Sequence, residues 1–442
     1  MSFTHQTLSD RLLELRGGEL SPARYLVAFS GGLDSTVLLH ALSAMDSVTP
    51  IVAVHIDHQL CEESGNWESH CRDFARTLGV QYSDHKTSVP SDQRLGPEAA
   101  ARAARYGVFA TLVEDNDWLL SAHHESDQAE TLLLNLLRGS GPTGLAGISS
   151  SRRFAKGRLV RPMLEVTKAQ IEDYAKRENL RWIEDPSNLE SRFDRNFLRN
   201  DVMPVLESRW PAAIRRLSRS AALAGEARSL LDDLAKTDLE AVGGASKIEI
   251  SSLRQLDDPR QRNLLRYAFR QLELPPPPAT RLSRIVSDLV NAREDGQPLV
   301  TWPGVEVRRY RGRIYLLASG QAPLHCDGGL LTEKDSFDLG PGMGRLSLTR
   351  SDGPSIDPAI VASGLAVRFR EGGESIRPFG HDHSQKLKKL LQDAAVVPWM
   401  RARIPLLYSG DDLVAVADLW MAAEFSQPTG CTIKWHGRPA IN

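Results

Sequence analysis

The N-terminal part of the chain alternates between two hydrophobic periods. YLVAFS (25–30), PIVAVHID (50–57), VQYSDH (80–85) and WLLSAHH (118–124) are short, β-rich runs. Each is followed by helical periodicity, beginning at Asp34, after Ser64, at Pro97 and at Glu125. Strand and helix in alternation predict right-handed βαβ units and a parallel sheet, because a crossover helix must carry the chain back before the next parallel strand. Ligands of such sheets sit in the crevice outside the carboxyl ends of the strands. RGSGPTGLAGISSSRR (138–153) breaks both periods with Gly and Ser, so it reads as a mobile loop rather than an element and is a candidate lid. Strand-like GRLVRPML and helical KAQIEDYAKREN follow, then an irregular segment over 182–202.

Helical periodicity dominates from about Ser218 to Leu274 and stops at the four prolines Pro275 to Pro278. A further helix, RLSRIVSDLVNA, leads into a hairpin pattern, VEVRRYRGRIYLLA. A stretch rich in Gly, Ser and Asp comes next, and from Leu365 short strands surround one basic helix, SQKLKKLLQDA. These shifts predict an α/β N-terminal domain over 1–217, a mainly helical middle domain over 218–320 and a small α+β C-terminal domain over 321–442. A chain of 442 residues at roughly 150 residues per domain gives the same number.

Composition narrows the class. Hydrophobic residues at 41% and charged residues at 25% exclude wholesale disorder, collagen and a disulfide-stapled miniprotein. The polar N-terminus and the lack of any 18-residue apolar run predict neither secretion nor a membrane span, hence a cytoplasmic protein. Cys61, Cys71, Cys326 and Cys431 form no CxxC pair, which argues against structural zinc, an iron-sulfur site or a disulfide framework. With 54 Lys and Arg against 56 Asp and Glu, a polyanionic partner must be met by local basic patches.

Three clusters carry chemistry. Ser30-Gly31-Gly32-Leu33-Asp34-Ser35 stands where the first strand runs into a helix. Adjacent glycines ahead of a helix N-terminus form an anion nest suited to pyrophosphate, and without a following Gly-Lys-Ser/Thr this is not a Walker loop. A plain turn capped by Ser30 or Asp34 is the simpler reading. His55 and Asp57 share one side of the second strand and face the same crevice; contact with a nucleotide or magnesium and an ordinary strand end are about evenly matched. After the fourth strand comes HHESDQAE, in which Asp127 and Glu130 lie three apart on one helical face. Such a pair can hold an ammonium group, although acidic first turns also stabilise any helix. The adjacent His123 and His124 diverge on a strand and lack a third ligand, so they do not predict a metal site.

Arginines and lysines form the patches. Glu98, Arg102 and Arg105 fall on one helical stripe, the pattern of an ion-paired surface. Residues 151–220 hold 16 Lys and Arg against 10 Asp and Glu, and Arg192, Arg195 and Arg199 near Asn196 suit phosphates or an RNA backbone. Arg377, Lys386, Lys388, Lys389, Arg401 and Arg403, with Trp399 nearby, make a second patch.

Together these motifs resemble the tRNA(Ile)-lysidine synthetases, a family of PP-loop ATP pyrophosphatases. The matching pieces are SGGLDS (30–35), HIDHQL (55–60), EAAARAARY (98–106), AHHESDQAETLLLNLLRG (122–139), RPML (161–164), WIEDPSN (182–188), RNFLR (195–199) and KKLLQDAAVVPWMR (388–401). One departure is Ser126, where the family usually has a first Asp. The resemblance implies a PP-loop domain of the adenine nucleotide alpha hydrolase type. Its activity would be ATP-dependent ligation of free L-lysine to carbon 2 of the wobble cytidine in the CAU anticodon of tRNA(Ile). It assigns Asp34, His123 and Arg195 to catalysis, and Ser30, Gly31, Gly32, Leu33, Asp34, Ser35, His55 and Asp57 to ATP, with magnesium at Asp34. It assigns Asp127 and Glu130 to lysine, and Arg102, Arg105, Arg199, Arg377, Lys386, Lys388, Lys389 and Arg401 to tRNA. A homodimer is an assembly open to it.

Three other readings share part of this pattern. A PP-loop tRNA thiolase would need catalytic cysteines, and none here lies in CxxC or beside the crevice motifs. A non-catalytic RNA-binding protein would account for the basic patches but not for HHESDQAE. An amidotransferase-coupled ligase would need a glutaminase nucleophile, and none is recognisable.

Overall fold

The computed structural model describes residues 2–57, 64–88, 97–186, 190–291, 298–320 and 329–441. His58, Gln59 and Leu60 of the second motif, Cys61, Ser187 and Asn188, the Glu98 side chain and Cys326 lie outside the described residues. The chain forms two compact units, Met1–Leu234 and Ala235–Asn442.

In the first unit α1 (His5–Arg16) precedes β1 (Tyr25–Ala28), α2 (Leu33–Ser43), β2 (Ile51–Asp57), α3 (Ser64–Thr77), β3 (Gln81–Lys86), α4 (Pro97–Leu112), β4 (Trp118–Leu120) and α5 (Glu125–Leu137). Then come α6 (Pro142–Leu145), β5 (Ser151–Phe154), β6 (Gly157–Val160), α7 (Lys168–Arg177), α8 (Asp194–Phe197), a π-helical turn over Leu198–Val202, α9 (Met203–Arg209) and α10 (Ala213–Ala241). Six strands form one sheet in the order β3-β2-β1-β4-β6-β5. All neighbours are parallel except the β5-β6 hairpin. The chain steps outward from β1 to β3, then crosses back to the other side of β1 at β4. The topological switch point therefore lies between β1 and β4, where a ligand crevice opens.

Both faces of the inner strands β1, β2 and β4 are covered, which is why these read as solid apolar runs, whereas β3 and β5 at the edges carry no buried residue. Successive residues feed opposite cores. Val27, Leu120 and Val160 pack with Leu38, Trp118 and Tyr174 on one side, while Leu26, Leu119 and Leu159 pack with Val52, Val54 and Phe109 on the other.

The Gly-rich run is not the free loop that its composition predicts. It holds one turn of helix, α6, and strand β5, and α5 pins it from the side. Gln128 Nε2 donates to the Ile148 carbonyl at 3.1 Å, and the Ile148 N–H donates to Gln128 Oε1 at 2.6 Å. Asn135 Nδ2 donates to the Gly144 carbonyl at 2.8 Å. Gly147, at φ +63°, is required there: a Cβ would lie 2.5 Å from Gln128 Oε1. The irregular segment is helical at its end, with a physical cause for the π turn. Pro204 lacks an N–H and its ring would collide with the carbonyl four residues back, so the helix widens before it.

In the second unit, β7 (Ile248–Glu249), α11 (Ile250–Leu253), α12 (Asp258–Gln271) and α13 (Ala279–Arg284) precede β8 (Leu299–Trp302), β9 (Val305–Tyr310) and β10 (Arg313–Ala318). The strands form a sheet in the order β7-β10-β9-β8 over a core that includes Leu264, Phe269, Ile285 and Val307. The expected hairpin is β9-β10, turned at Arg311 and Gly312, both with positive φ. The rest contains a five-stranded sheet, a three-stranded sheet built on Arg345–Ile356 and Ser426–His436, and the short helix Leu387–Asp393. No helix among the described residues is long and apolar enough to cross a membrane.

Candidate active site

The SGGLDS residues leave β1 and enter α2 at the switch point. Gly32 is the N-cap of α2, with no side-chain cap bond. Neither Ser30 nor Asp34 caps the helix, so the capped-turn reading fails and no side-chain cap occupies the N-terminus of α2. Gly31 is the glycine the turn requires. It has φ +82°, and a Cβ would lie 2.7 Å from both Cys71 Sγ and Ile183 Cδ1. Ser30 and Ser35 hydroxyls lie 3.1 Å apart, Ser35 Oγ donates to the Gly32 carbonyl at 3.0 Å, and Thr36 Oγ1 donates to that of Gly31 at 3.2 Å. These bonds fix the loop from inside. From outside, the Ile183 N–H of the WIEDP segment donates to the Gly31 carbonyl at 2.9 Å.

His55 is buried, and its Nδ1 lies 3.0 Å from the Phe29 carbonyl, tying the ends of β2 and β1 together beneath the loop. Asp57 ends β2 at the same rim. Cys71 does sit against the PP-loop, contrary to the expectation that no cysteine lies beside the crevice motifs. Its thiol is fully buried, and burial pushes its pKa up to about 12, so it supplies no thiolate near neutrality.

HHESDQAE begins beyond β4. His123 and His124 lie in the connection to α5 rather than on the strand, and their roles differ. His124 is the N-cap of α5: its Nδ1 accepts from the Ser126 N–H at 3.3 Å, and its own N–H donates to Asp127 Oδ2 at 2.9 Å. With Nδ1 an acceptor, Nε2 carries the proton in the neutral ring. That Nε2 lies 3.7 Å from Asp34 Oδ2 and 3.7 Å from Asp127 Oδ2. One buried imidazole thus stands between the PP-loop carboxylate and the α5 carboxylate. His123 is paired with Ser121 Oγ. Burial lowers its pKa to about 3 against the pull of Asp127, helped by Arg161, Arg195 and Arg102, so the ring is neutral near pH 7.

Asp127 and Glu130 share a face as expected, yet they do not form an open ammonium receptor. Arg195 Nε donates to Glu130 Oε2 at 2.8 Å, and its Nη2 lies 3.1 Å from Asp127 Oδ1. Arg199 Nε donates to Glu130 Oε1 at 2.7 Å, and its Nη2 lies 3.3 Å from Asp127 Oδ1. Two carboxylates and two guanidinium groups close a balanced quartet. Glu130 is 1% exposed, whereas Asp127 keeps 13% and Arg199 40% of its side-chain surface. Burial raises the Asp127 pKa, but the histidines, Arg195 and the His124 N–H outweigh it and hold the carboxyl well below the usual range.

Arginines dominate the adjoining wall. Arg102 lies over the Tyr106 ring at 4.9 Å. Burial, with Arg102 and Arg195 nearby, lowers the pKa of Arg105. Arg161, of the RPML motif, is 5% exposed and donates to the Ser149 carbonyl at 2.7 Å, while its Nε has no partner among the described residues. Cations crowded together with an unsatisfied donor mark a place for an anion.

Lys168 is a residue of this site that the motif reading missed, as it missed the contacts of Ile183 and Cys71 with the loop. Lys168 Nζ lies 2.9 Å from Asp34 Oδ1. The available signal was local: Thr167 and Gln170 form a capping box, which puts a lysine at the first helical position.

In the second unit, Lys386, Lys388 and Lys389 are exposed, while Leu387, Leu390 and Leu391 of the same segment are buried. Arg377 Nε is paired with Glu424 at 3.0 Å. Arg401 is engaged within the unit, with Nε 2.9 Å from the Val396 carbonyl and Nη2 2.8 Å from Tyr310 Oη.

Three family models match the chain: a PP-loop domain over residues 5–206, a TilS substrate binding domain over 249–315 and a TilS substrate C-terminal domain over 365–435. A tRNA(Ile)-lysidine synthase of Alkalilimnicola ehrlichii is 42% identical over 428 residues, 96% of each chain. One of Coxiella burnetii is 39% identical over 411 residues, 92% of this chain and 91% of that one. A tRNA thiolase of Methanococcus maripaludis, solved with its 4Fe-4S cluster, aligns at 14% identity and a TM-score of 0.41, over 49% of this chain and 77% of that one. With its PP-loop crevice and relatives aligned from end to end, the chain belongs to the tRNA(Ile)-lysidine synthase family.

Proposed function

We propose that this chain joins the ε-amine of free L-lysine to carbon 2 of the wobble cytidine of the CAU-bearing tRNA(Ile), using ATP. The observation that carries this reading is the bridge at the switch point: His124 Nε2 is 3.7 Å from Asp34 and 3.7 Å from Asp127, so a nucleotide site and an amino-acid site share one crevice.

The chemistry follows in two displacements. The cytidine O2 attacks the α-phosphorus of ATP, an O–P bond forms and pyrophosphate leaves. The lysine ε-amine then attacks carbon 2, a C–N bond forms, and the adenylated oxygen leaves with AMP while the amine loses a proton. The uncapped N-terminus of α2 and the Gly31 turn receive polyphosphate oxygens. Asp34 would hold magnesium through its carboxylate, and among the described residues no cluster of three or more acidic, His or Cys ligands offers a cage. Magnesium supplies charge neutralisation on the leaving pyrophosphate. A lysine zwitterion suits the quartet, because its α-ammonium can replace a guanidinium at Asp127 while its carboxylate takes the released Arg199. The wall of Arg102, Arg105 and Arg161 receives an RNA phosphate, and the wobble base reaches the crevice because it lies in a single-stranded loop. His123 and His124 are both candidates for taking the amine's proton, and the lowered pKa of His123 makes that ring a weak base. The same reading places the enzyme in the cytoplasm, with its substrates.

Purified chain, ATP, magnesium, lysine and tRNA test all of this at once. Digestion of the CAU-bearing tRNA(Ile) should yield a cytidine heavier by lysine minus water. A sulfur-for-oxygen mass change would favour the thiolase, and tRNA binding without ATP cleavage would favour a passive RNA binder.

A further inference from the structure

Lys168 is a cation at the wrong end of a helix. It is the first residue of α7, directly after the Thr167 cap, where the positive end of the helix dipole opposes it. The first turn of α7 contains no acidic residue to offset it. Its Nζ instead reaches Asp34 Oδ1 at 2.9 Å, with side chains 42% and 33% exposed. Asp34 itself lies in the first turn of α2. The Lys168 ammonium group and the positive end of α2 therefore meet on a single carboxylate, while the dipole of α7 disfavours the lysine where it stands.

We propose that Lys168 binds the polyphosphate of the nucleotide, leaving Asp34 for a β- or γ-phosphate oxygen when Asp34 takes magnesium. The inference rests on the nucleotide reading above and adds a residue to it. Exchange of partner is easy on physical grounds. A half-exposed ion pair is weak, the lysine stem is flexible with three rotatable donors, and ionised phosphate oxygens are strong acceptors. In the free protein the same lysine keeps Asp34 from standing uncompensated beside Asp127.

Two structural accounts compete. Lys168 can be a pin between α2 and α7, or a mask that competes with magnesium for Asp34. Calorimetry with a non-hydrolysable α,β-methylene ATP analogue and magnesium separates them, using Lys168→Gln and Lys168→Arg beside thermal melting. Binding of a phosphate predicts that Lys168→Gln weakens the analogue about tenfold or more. Lys168→Arg should restore most of that affinity, and the Gln variant should melt no lower than the parent, because an unfavourable helix charge is gone. A pin predicts lower melting with unchanged affinity, and a mask predicts equal or tighter binding with a lower magnesium requirement; either result overturns the proposal. If the parent chain binds the analogue and Lys168→Gln binds it equally, only this proposal fails. If the parent chain binds none, the nucleotide reading fails with it.

Discussion

Single residues in the crevice are held by charge balance, and that balance makes specific demands. Asp127→Asn removes charge from one corner of the quartet while leaving Glu130 to hold both arginines. It should raise the lysine KM strongly, by the loss of about 1.5–3 kcal/mol of charged hydrogen bonding, and change ATP-dependent adenylation of the tRNA far less. Equal losses in both half-reactions would sink the lysine assignment. His123 gives a prediction in pH. The folded protein keeps it neutral down to about 3, while the unfolded chain protonates it below its ordinary 6.5. Across that window the unfolded state binds the extra proton, so this residue makes stability fall as the pH drops, by up to about 1.4 kcal/mol per pH unit. Melting of His123→Gln should therefore decline less steeply between pH 6.5 and 4 than melting of the parent; parallel curves would mean that the ring is not the buried neutral group described. The motif residues themselves were legible, since SGGLDS and HHESDQAE each combine a strand end, a helix start and charge. Lys168, Ile183 and Cys71 were not, because their roles arise only when α7, the WIEDP segment and α3 return to the PP-loop.

Among elements, the β-α alternation over 25–138 was read directly from period and composition, because β1, β2 and β4 are buried on both faces, while the edge strand β3 carries no buried residue and was legible only from the helices that flank it. The Gly-rich run after α5 was not. Its composition does describe a chain without a core of its own, but its order comes from Gln128 and Asn135 on a neighbouring helix, which no local pattern reports. Gly147→Ala tests that order. The new Cβ must take a left-handed φ of +63° and approach Gln128 Oε1, at a cost of about 1–2 kcal/mol. Melting of the first unit should fall, at about 2–4 °C per kcal/mol, and limited proteolysis should cut faster within 138–153. A run that is cut equally fast in both chains was never pinned. The π turn before Pro204 was likewise invisible as a turn, although its cause was in plain sight: a proline inside a helical pattern must widen or end the helix. That turn follows α8, which carries Arg195, and itself includes Arg199, so the proline shapes the segment that carries both arginines of the quartet.

For the molecule as a whole, the strand order explains why two motifs nearly a hundred residues apart in sequence make one site. β1 and β4 are neighbours only because the chain reverses direction across the sheet, and each delivers its motif to the same end. The second unit was legible in outline, from the prolines that end its helical part and the β9-β10 hairpin, but its surface chemistry was only partly so. Of the cations expected to meet tRNA there, Arg401 is engaged with Val396 and Tyr310, and Arg377 with Glu424. Lys386, Lys388 and Lys389 stay exposed beside a buried leucine face, so they are the ones suited to phosphates. A net charge of -2 gives no general attraction to RNA, and binding must rest on such local groups. Replacing the three lysines by Gln should lower the salt slope of tRNA binding by up to about 0.9 per lost contact and weaken affinity, with the lysine KM unmoved. Arg401→Gln should behave differently, because its loss strips partners from a carbonyl and a tyrosine hydroxyl. It should lower the melting temperature of the second unit before it changes the salt slope. If the triple lysine variant keeps the parent's salt dependence, that helix is a solvated surface and the RNA lies elsewhere on the molecule.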